Sequence, residues 1–193
     1  IATSADGTRL VMCNAITGLI YFANYTVTNN VWSWSSLTQI LQTTAIANLS
    51  GIALTADGSR GVVSTIGGLC YFFTWNGTNY SALTPTLTTQ NNSNGLLGNN
   101  WSIDMTADGS RIVVSYFGNG FYYSTWNGTN YNVFTYINNY NNGYGIGITS
   151  DGTYVAYSDT DYVYYSVWDG KTYGSPIQIT TSKMGNVFYE SCN

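Results

Sequence analysis

The chain has 193 residues, of which nine are acidic, five are basic and none is histidine; charged residues make up 7% and aromatic residues 16%. Without histidine the chain cannot form a Ser-His-Asp triad or a His-ligated zinc site, and five scattered basic residues cannot form the basic face that nucleic acid requires. No apolar run approaches the roughly 18 residues of a membrane span. We therefore expect a chain without a catalytic residue, a metal site or a cofactor. We also expect that it does not bind nucleic acid and does not span a membrane.

Four copies of one sequence unit follow one another along the chain. Each begins with an apolar stretch and an Asp-Gly turn, and the turn aspartates are Asp6, Asp57, Asp108 and Asp151. A first apolar run follows each turn, and a second run ends in an aromatic residue, which is Tyr25, Trp75, Trp126 or Trp168. A further turn then leads to Trp32, Tyr80, Tyr131 or Tyr173. Repeats of about 40 to 50 residues are typical of propeller blades.

Each unit is predicted to form four short antiparallel strands. The Asp-Gly and Asn-Gly pairs between apolar runs are strong hairpin signals, and the type I′ turns that they favour need positive φ at both central residues. Helices of useful length are not expected, because Asn, Thr, Tyr and Gly dominate the sequence and strong helix formers rarely occur together.

The second and third strands of each unit are apolar on both faces, as at Tyr71, Phe72 and Phe73. A strand with one exposed face would alternate polar and apolar residues, so we expect these sheets to be covered on both sides. Small four-stranded sheets packed face to face around an axis are the blades of a β-propeller. We predict an all-β fold and a single domain over residues 1–193. Its four four-stranded antiparallel blades are placed at about 1–47, 48–98, 99–142 and 143–184.

A resemblance to known proteins supports this prediction. The pattern S/T-x-D-G-S/T-R-V-V-S, followed by Y-x-x-x-W-N-G-T-x-Y, resembles β-propeller repeats with DG and WNG turns, which are similar in style to WD40-like and FG-GAP-like blades. The resemblance covers essentially the whole chain and implies a propeller. It implies no functional residue, because these motifs are turn and packing signatures. The sequence lacks the Gly-His and Trp-Asp pairs of WD40 blades, the Asp-box of sialidases and the calcium loop of integrin-type blades.

The last residues of the sequence, 185–193, align with the inner strand of a further blade. Three arrangements are open for this strand. It completes the short first blade and closes a four-bladed ring, it pairs with the open edge of a neighbouring copy, or it belongs to a longer array of repeats. The second arrangement would give a head-to-tail filament.

Repeated aromatic residues beside the Asn/Asp-Gly turns are the candidate ligand site. Aromatic faces flanked by amides and hydroxyls suit sugars, so the chain is a candidate lectin with rim sites at Trp75, Trp126, Trp168, Tyr80 and Tyr131. The alternative is that each tryptophan fills the gap between adjacent blades.

Charged residues give three weaker candidates. Arg9, Arg60 and Arg111 each lie three residues after a turn aspartate, where they form either a basic rim for an anionic ligand or local Asp–Arg pairs. Asp104 and Glu190 fall on inner strands and are the one candidate carboxylate pair for glycoside hydrolysis. Asp159 and Asp161 are a weak candidate for calcium, and a solvated turn is the alternative.

Sequons and cysteines point to the environment of the chain. Seven Asn-x-Ser/Thr sequons occur, at Asn24, Asn48, Asn76, Asn79, Asn91, Asn100 and Asn127. Those at hairpin tips and in the Asn-rich loop, which we expect to include Asn100, are predicted to be accessible. The three cysteines, Cys13, Cys70 and Cys192, allow one disulfide and one free thiol, with no preferred pairing.

These observations favour a non-enzymatic extracellular protein, secreted or displayed on a surface. The leading hypothesis is a structural or adhesive glycoprotein that associates with copies of itself through the terminal strand. A surface with few charges opposes such contacts weakly. The alternative hypothesis is a carbohydrate-binding lectin.

Overall fold

The computed structural model describes residues 1–42, 46, 48–86, 99–138 and 142–183. In this part of the chain all regular structure is β, and the strands form four antiparallel sheets in chain order. No helix long and apolar enough to cross a membrane occurs among the described residues. The predicted all-β fold of four four-stranded antiparallel blades is confirmed, with one added strand in the first sheet.

Each blade takes its strands consecutively from the chain. The second, third and fourth blades are simple four-stranded meanders, whereas in the first blade the last two strands both pair with the third strand. The first blade contains β1 (Ala2–Thr3), β2 (Arg9–Cys13), β3 (Ile20–Thr28), β4 (Val31–Trp34) and β5 (Thr38–Gln39). The second contains β6 (Leu49–Leu54), β7 (Arg60–Thr65), β8 (Cys70–Thr74) and β9 (Thr84–Pro85). The third contains β10 (Asn99–Met105), β11 (Arg111–Phe117), β12 (Gly120–Thr125) and β13 (Thr135–Asn138). The fourth contains β14 (Ile146–Ile148), β15 (Tyr154–Ser158), β16 (Val163–Val167) and β17 (Ile177–Gln178).

The four blades lie around one central cavity of about 430 Å³, which residues from all four blades line. Backbone hydrogen bonds link the blades in series near this cavity. Ala5 N donates to Ala56 O at 2.8 Å, Ala56 N to Ala107 O at 2.8 Å, and Ala107 N to Ser150 O at 2.9 Å. The described residues show no fourth bond of this kind from the last blade back to the first, so hydrogen bonds join the blades without closing a ring.

The hydrophobic core consists of three clusters, one for each pair of consecutive blades. Between the first two blades, Val11 and Phe22 pack with Val63 and Phe73. Corresponding clusters lie between the second and third blades and between the third and fourth blades. Each sheet therefore buries residues from its faces against its neighbours, which explains why the strands lack polar alternation. Full burial of each such side chain contributes about 1.5–3 kcal/mol to folding.

The turns differ from the predicted type I′ geometry at the Asp-Gly pairs. Only the glycine has positive φ there, as at Gly7 (68°) and Gly58 (66°), because the aspartate side chain organises the turn instead. Asp57 Oδ1 accepts hydrogen bonds from Ser59 N and from the Thr55 hydroxyl. Two consecutive residues with positive φ occur in the hairpin between β3 and β4, at Asn29 (53°) and Asn30 (63°).

Candidate functional site

Each Asp-Gly turn is stabilised by its own aspartate. Asp6 Oδ1 accepts hydrogen bonds from the Ser4 hydroxyl at 2.6 Å and from Thr8 N at 2.9 Å. These hydrogen bonds lower the pKa of Asp6 to about 2, and the bond from Ser4 has the largest effect. Hydrogen bonds from Thr153 and Thr149 likewise lower the pKa of Asp151 to about 2. The turns therefore keep fixed negative charges near neutral pH.

The turn arginines reach the next blade, and the expected local Asp–Arg pairs are not formed. Arg9 Nη1 donates to Asp57 O at 2.8 Å, and Arg60 Nη1 donates to Gly109 O at 2.9 Å. Arg111 donates from Nη1 to Gly152 O at 3.1 Å and from Nη2 to Asp151 O at 3.0 Å. Each aspartate is already engaged within its own turn, so the arginine bonds to the backbone carbonyls of the following turn.

Each of these guanidinium groups also lies over a tryptophan of the following blade. The Arg9 Cζ atom is 4.5 Å from the ring centre of Trp75. The corresponding distance is 3.8 Å for Arg60 over Trp126 and 4.4 Å for Arg111 over Trp168. A cation at this distance from an indole face gains about 0.5–2 kcal/mol, with the larger value at desolvated sites.

A tyrosine of the same blade lies against each of these tryptophans, with 5.0 Å between ring centres. The hydroxyl of Tyr80 donates to Gly58 O at 2.7 Å, that of Tyr131 to Gly109 O at 2.8 Å and that of Tyr173 to Gly152 O at 2.8 Å. All three rings are buried, and burial is the main cause that raises the pKa of each hydroxyl to about 12.

The preceding blade supplies an aromatic residue as well as the arginine. Phe22 meets Trp75 edge to face with 5.6 Å between ring centres, and Phe72 meets Trp126 in the same way at 5.2 Å. Tyr123 takes this position against Trp168 at 5.5 Å. We call this repeated contact the arginine joint: an arginine and an aromatic ring from one blade meet a tryptophan, a tyrosine and the turn carbonyls of the next blade.

The arginine joints occupy the five residues predicted as sugar-binding sites. Trp75, Trp126 and Trp168 are half-buried with an arginine against the ring, and Tyr80 and Tyr131 are buried with their hydroxyls bonded to backbone. This geometry matches the alternative expectation that the tryptophans fill the gaps between blades. It offers no open ring face at Tyr80 or Tyr131 for a sugar.

The first blade has positions that correspond to the tryptophan and the tyrosine of an arginine joint, but other residues occupy them. We call these positions, together with the turn of the same blade, the receiving side. Tyr25 N donates to Thr8 O at 2.7 Å, as Trp75 N does to Ser59 O at 2.8 Å in the second blade. Ser35 N donates to Asn24 O, as Ser81 N does to Thr74 O. This match places Trp34, the residue before Ser35, at the position of Tyr80. The sequence-based match of Trp32 to Tyr80 is therefore wrong, because the β3–β4 hairpin is two residues longer than that match assumed.

The fourth blade lacks the donor of an arginine joint. Tyr154 takes the position of Arg9, Arg60 and Arg111 at the start of the second strand, and it is 48% exposed. Its ring contacts Tyr165, with 6.2 Å between centres. The joint is thus directional, and the described chain contains three of them.

The predicted carboxylate sites have structural partners. Asp104 lines the central cavity, where its oxygens accept hydrogen bonds from Met105 N and Ile148 N, and burial raises its pKa. The second predicted carboxylate, Glu190, lies outside the described residues. Asp161 forms an ion pair with Lys183 at 2.7 Å. The described residues contain no group of three or more acidic, His or Cys side chains that could hold a metal.

The cysteines and sequons are placed as follows. Cys13 and Cys70 are free thiols, and Cys192 lies outside the described residues. Asn100 lies in β10, not in a loop, and is 1% exposed, so the folded chain has no room for a glycan there. Asn24 is half-buried, and Asn91 lies outside the described residues. The remaining sequons are exposed, at Asn48, Asn76, Asn79 and Asn127.

No protein-family model matches the chain, and no curated protein matches it significantly. The sequence singles out the arginine, tryptophan and tyrosine positions of the joint, but not their partners or the aromatic ring of the preceding blade. The signal for the partners is the co-occurrence of arginine in one copy with Trp-Asn/Asp-Gly in the next.

Proposed function

We propose that the chain is a non-enzymatic structural or adhesive protein that acts outside the cell and associates head to tail with copies of itself. The observation that carries this proposal is the directional arginine joint. Three joints link four blades in one direction, and among the described residues neither the turn of the first blade nor Tyr154, at the donor position of the fourth blade, takes part in a joint. A second copy placed in the same direction would bring these two positions together.

The surface of the first blade supports this proposal. Half of the large apolar side chains that are exposed in the described part of the chain belong to this blade: Ile1, Ile16, Val27, Val31, Trp32, Trp34, Leu37 and Leu41. A concentration of exposed apolar side chains marks an interaction surface in soluble proteins. The fourth blade adds Tyr154, Ile177 and Ile179 at its own side.

Low charge supports association too. The chain carries a formal net charge of -4 from only 14 charged side chains, nine acidic and five basic. Electrostatic repulsion between copies is therefore weak. The tail, residues 184–193, lies outside the described residues, and the terminal strand route to a filament stays a prediction.

Light scattering over a range of protein concentrations tests the proposal. We expect the mass of the wild-type particle to increase with concentration. Trp32→Asp, at a side chain 64% exposed on the first blade, should remain monomeric, because the charge lies on the proposed contact. The matched control is Trp101→Asp on the third blade, where the tryptophan is 46% exposed, and it should associate like wild type. A folded wild-type chain that stays monomeric at all concentrations would refute self-association.

Glycosylation and an extracellular location are part of the same proposal. The exposed positions of Asn76 and Asn127 at hairpin tips support it. The intact mass of native material tests it directly. We expect added mass in hexose and N-acetylhexosamine units, and a mass equal to that of the bare chain would contradict the glycoprotein proposal.

A further inference from the structure

We infer that the first blade carries a fourth arginine-receiving site, and that this site binds an arginine side chain from a partner chain. The site consists of the Asp6–Gly7 turn and the aromatic side chains of Tyr25 and Trp34. The hydrogen-bond match given above places these residues where the second blade has its own turn, Trp75 and Tyr80. In the other three blades, the corresponding site holds an arginine side chain.

Space above the turn distinguishes the first blade from the others. A Cβ atom added at Gly58 would lie 2.8 Å from Arg9, one at Gly109 would lie 2.9 Å from Arg60, and one at Gly152 would lie 2.6 Å from Arg111. A Cβ added at Gly7 would meet nothing within 4 Å. The arginine that covers each of the other three turns therefore has no counterpart over the first turn among the described residues.

The aromatic side chains of the first blade are accessible to such a ligand. Trp34 is 46% exposed, and Tyr25 lies against it with 4.9 Å between ring centres. Trp32 stacks on Tyr25 at 5.4 Å, which adds a second indole beside the site. Two indoles and a phenol that contact one another give a cation several aromatic faces to approach.

The chemistry of the site selects a guanidinium group. A planar guanidinium suits both an aromatic face and carbonyl acceptors, and Arg60 contacts both the Trp126 ring and Gly109 O. A compact ammonium group cannot make both contacts in this geometry. The ionised Asp6 carboxylate adds a favourable negative charge beside the turn.

The arginine has to come from another kind of chain. The sequence contains three arginines, Arg9, Arg60 and Arg111, and each is held in a joint. The fourth blade offers Tyr154 at the donor position, so a second copy cannot supply a guanidinium. This inference does not rest on self-association, and a partner with an arginine after a tight turn would compete with a second copy for the first blade.

The test uses the wild-type protein at a concentration where light scattering shows monomers. The probes are an acetylated, amidated Gly-Arg-Gly peptide and the same peptide with citrulline, the neutral isostere of arginine. We expect the arginine peptide to shift the nuclear magnetic resonance signal of the Trp34 indole N–H in a saturable way. Citrulline should bind about tenfold more weakly, because it lacks the charge that both contacts use.

Two variants complete the test. Trp34→Ala should lose the binding of the arginine peptide, and Trp101→Ala, at an equally exposed tryptophan of the third blade, should retain it. Equal binding of the citrulline peptide, a shift that maps to Trp101 in the wild-type protein, or unchanged binding by Trp34→Ala would overturn the inference. The wild-type signals decide the question even if a variant does not fold. Since the readout is peptide binding to monomers, failure here is distinct from failure of self-association.

Discussion

The guanidinium group of Arg60 lies 3.8 Å above the Trp126 ring, and its Nη1 atom donates to Gly109 O of the same blade. One side chain of the second blade therefore touches both the aromatic ring and the turn of the third blade. The contact with the ring and the hydrogen bond together hold the guanidinium in place against the third blade. This pair of contacts orients consecutive blades beyond what the apolar core alone specifies.

Removal of single tyrosine hydroxyls should distinguish the joints. Gly109 O accepts from both Tyr131 and Arg60, whereas Gly58 O accepts from Tyr80 while Arg9 bonds to Asp57 O. Tyr131→Phe leaves Gly109 O with the hydrogen bond from Arg60, so it should lower the unfolding free energy by about 1 kcal/mol. Tyr80→Phe leaves Gly58 O without that bond and should cost about 2 kcal/mol. Urea denaturation measures both, and a larger loss for Tyr131→Phe would contradict this account.

Alkaline pH should destabilise the fold. Burial is the main cause that raises the pKa of Tyr80, Tyr131 and Tyr173 to about 12, from an ordinary value of 10.0. Above about pH 10 the unfolded chain loses protons that the folded chain keeps, so the unfolding free energy falls as the pH rises from about 10 to 12. Denaturation at fixed pH values, with tyrosinate absorbance to follow ionisation, checks this. A flat stability profile across this window would count against buried, neutral tyrosines.

Acidic pH should also destabilise the fold, because the aspartates of the turns become protonated. Hydrogen bonds lower the pKa of Asp6 and Asp151 to about 2, so their contribution to stability is present above the ordinary pKa and is lost as the pH falls toward 2.

Much of the fold followed from the repeats, because turn residues and apolar runs recur in register four times. The position of Trp34 could not be predicted from the sequence, because the β3–β4 hairpin, with Asn29 and Asn30 at its tip, is longer than the corresponding turns of the other copies. No other copy of the repeat has a hairpin of this length with which the sequence could be aligned. The hydrogen-bond partner of Arg9 could not be predicted from the sequence either. Neighbours within the turn suggested a local pair with Asp6, whereas packing of the blades places Asp57 O within reach.

Glycine has a steric role in β7 that a matched pair of substitutions can show. A Cβ at Gly61 would overlap the Phe73 ring, whereas one at Gly67 would have its nearest neighbour at 3.8 Å. Gly61→Ala should lower the unfolding free energy by about 1–3 kcal/mol, because the buried ring has to move. Gly67→Ala should change it little. Similar effects of the two substitutions in thermal unfolding would show that the second blade does not pack as described.

Tyr154→Arg should supply the missing donor of a fourth arginine joint. The new guanidinium would meet the Tyr25–Trp34 pair, either in a second copy or within one chain. We expect stronger association in light scattering or a higher unfolding free energy, and Trp34→Ala in the same background should remove the gain. If Tyr154→Arg changes neither quantity, the first blade does not act as a receiving side.

A double-mutant cycle between Arg60 and Trp126 tests the arginine joint most directly. Arg60→Ala, Trp126→Ala and the double variant are compared by urea denaturation, and Arg60 with Trp168, which receives Arg111 in the fourth blade, serves as the control pair. We predict a coupling free energy of about 1–2 kcal/mol for Arg60 with Trp126 and about zero for the control pair. Additive effects of Arg60→Ala and Trp126→Ala would contradict an inter-blade contact between these two side chains.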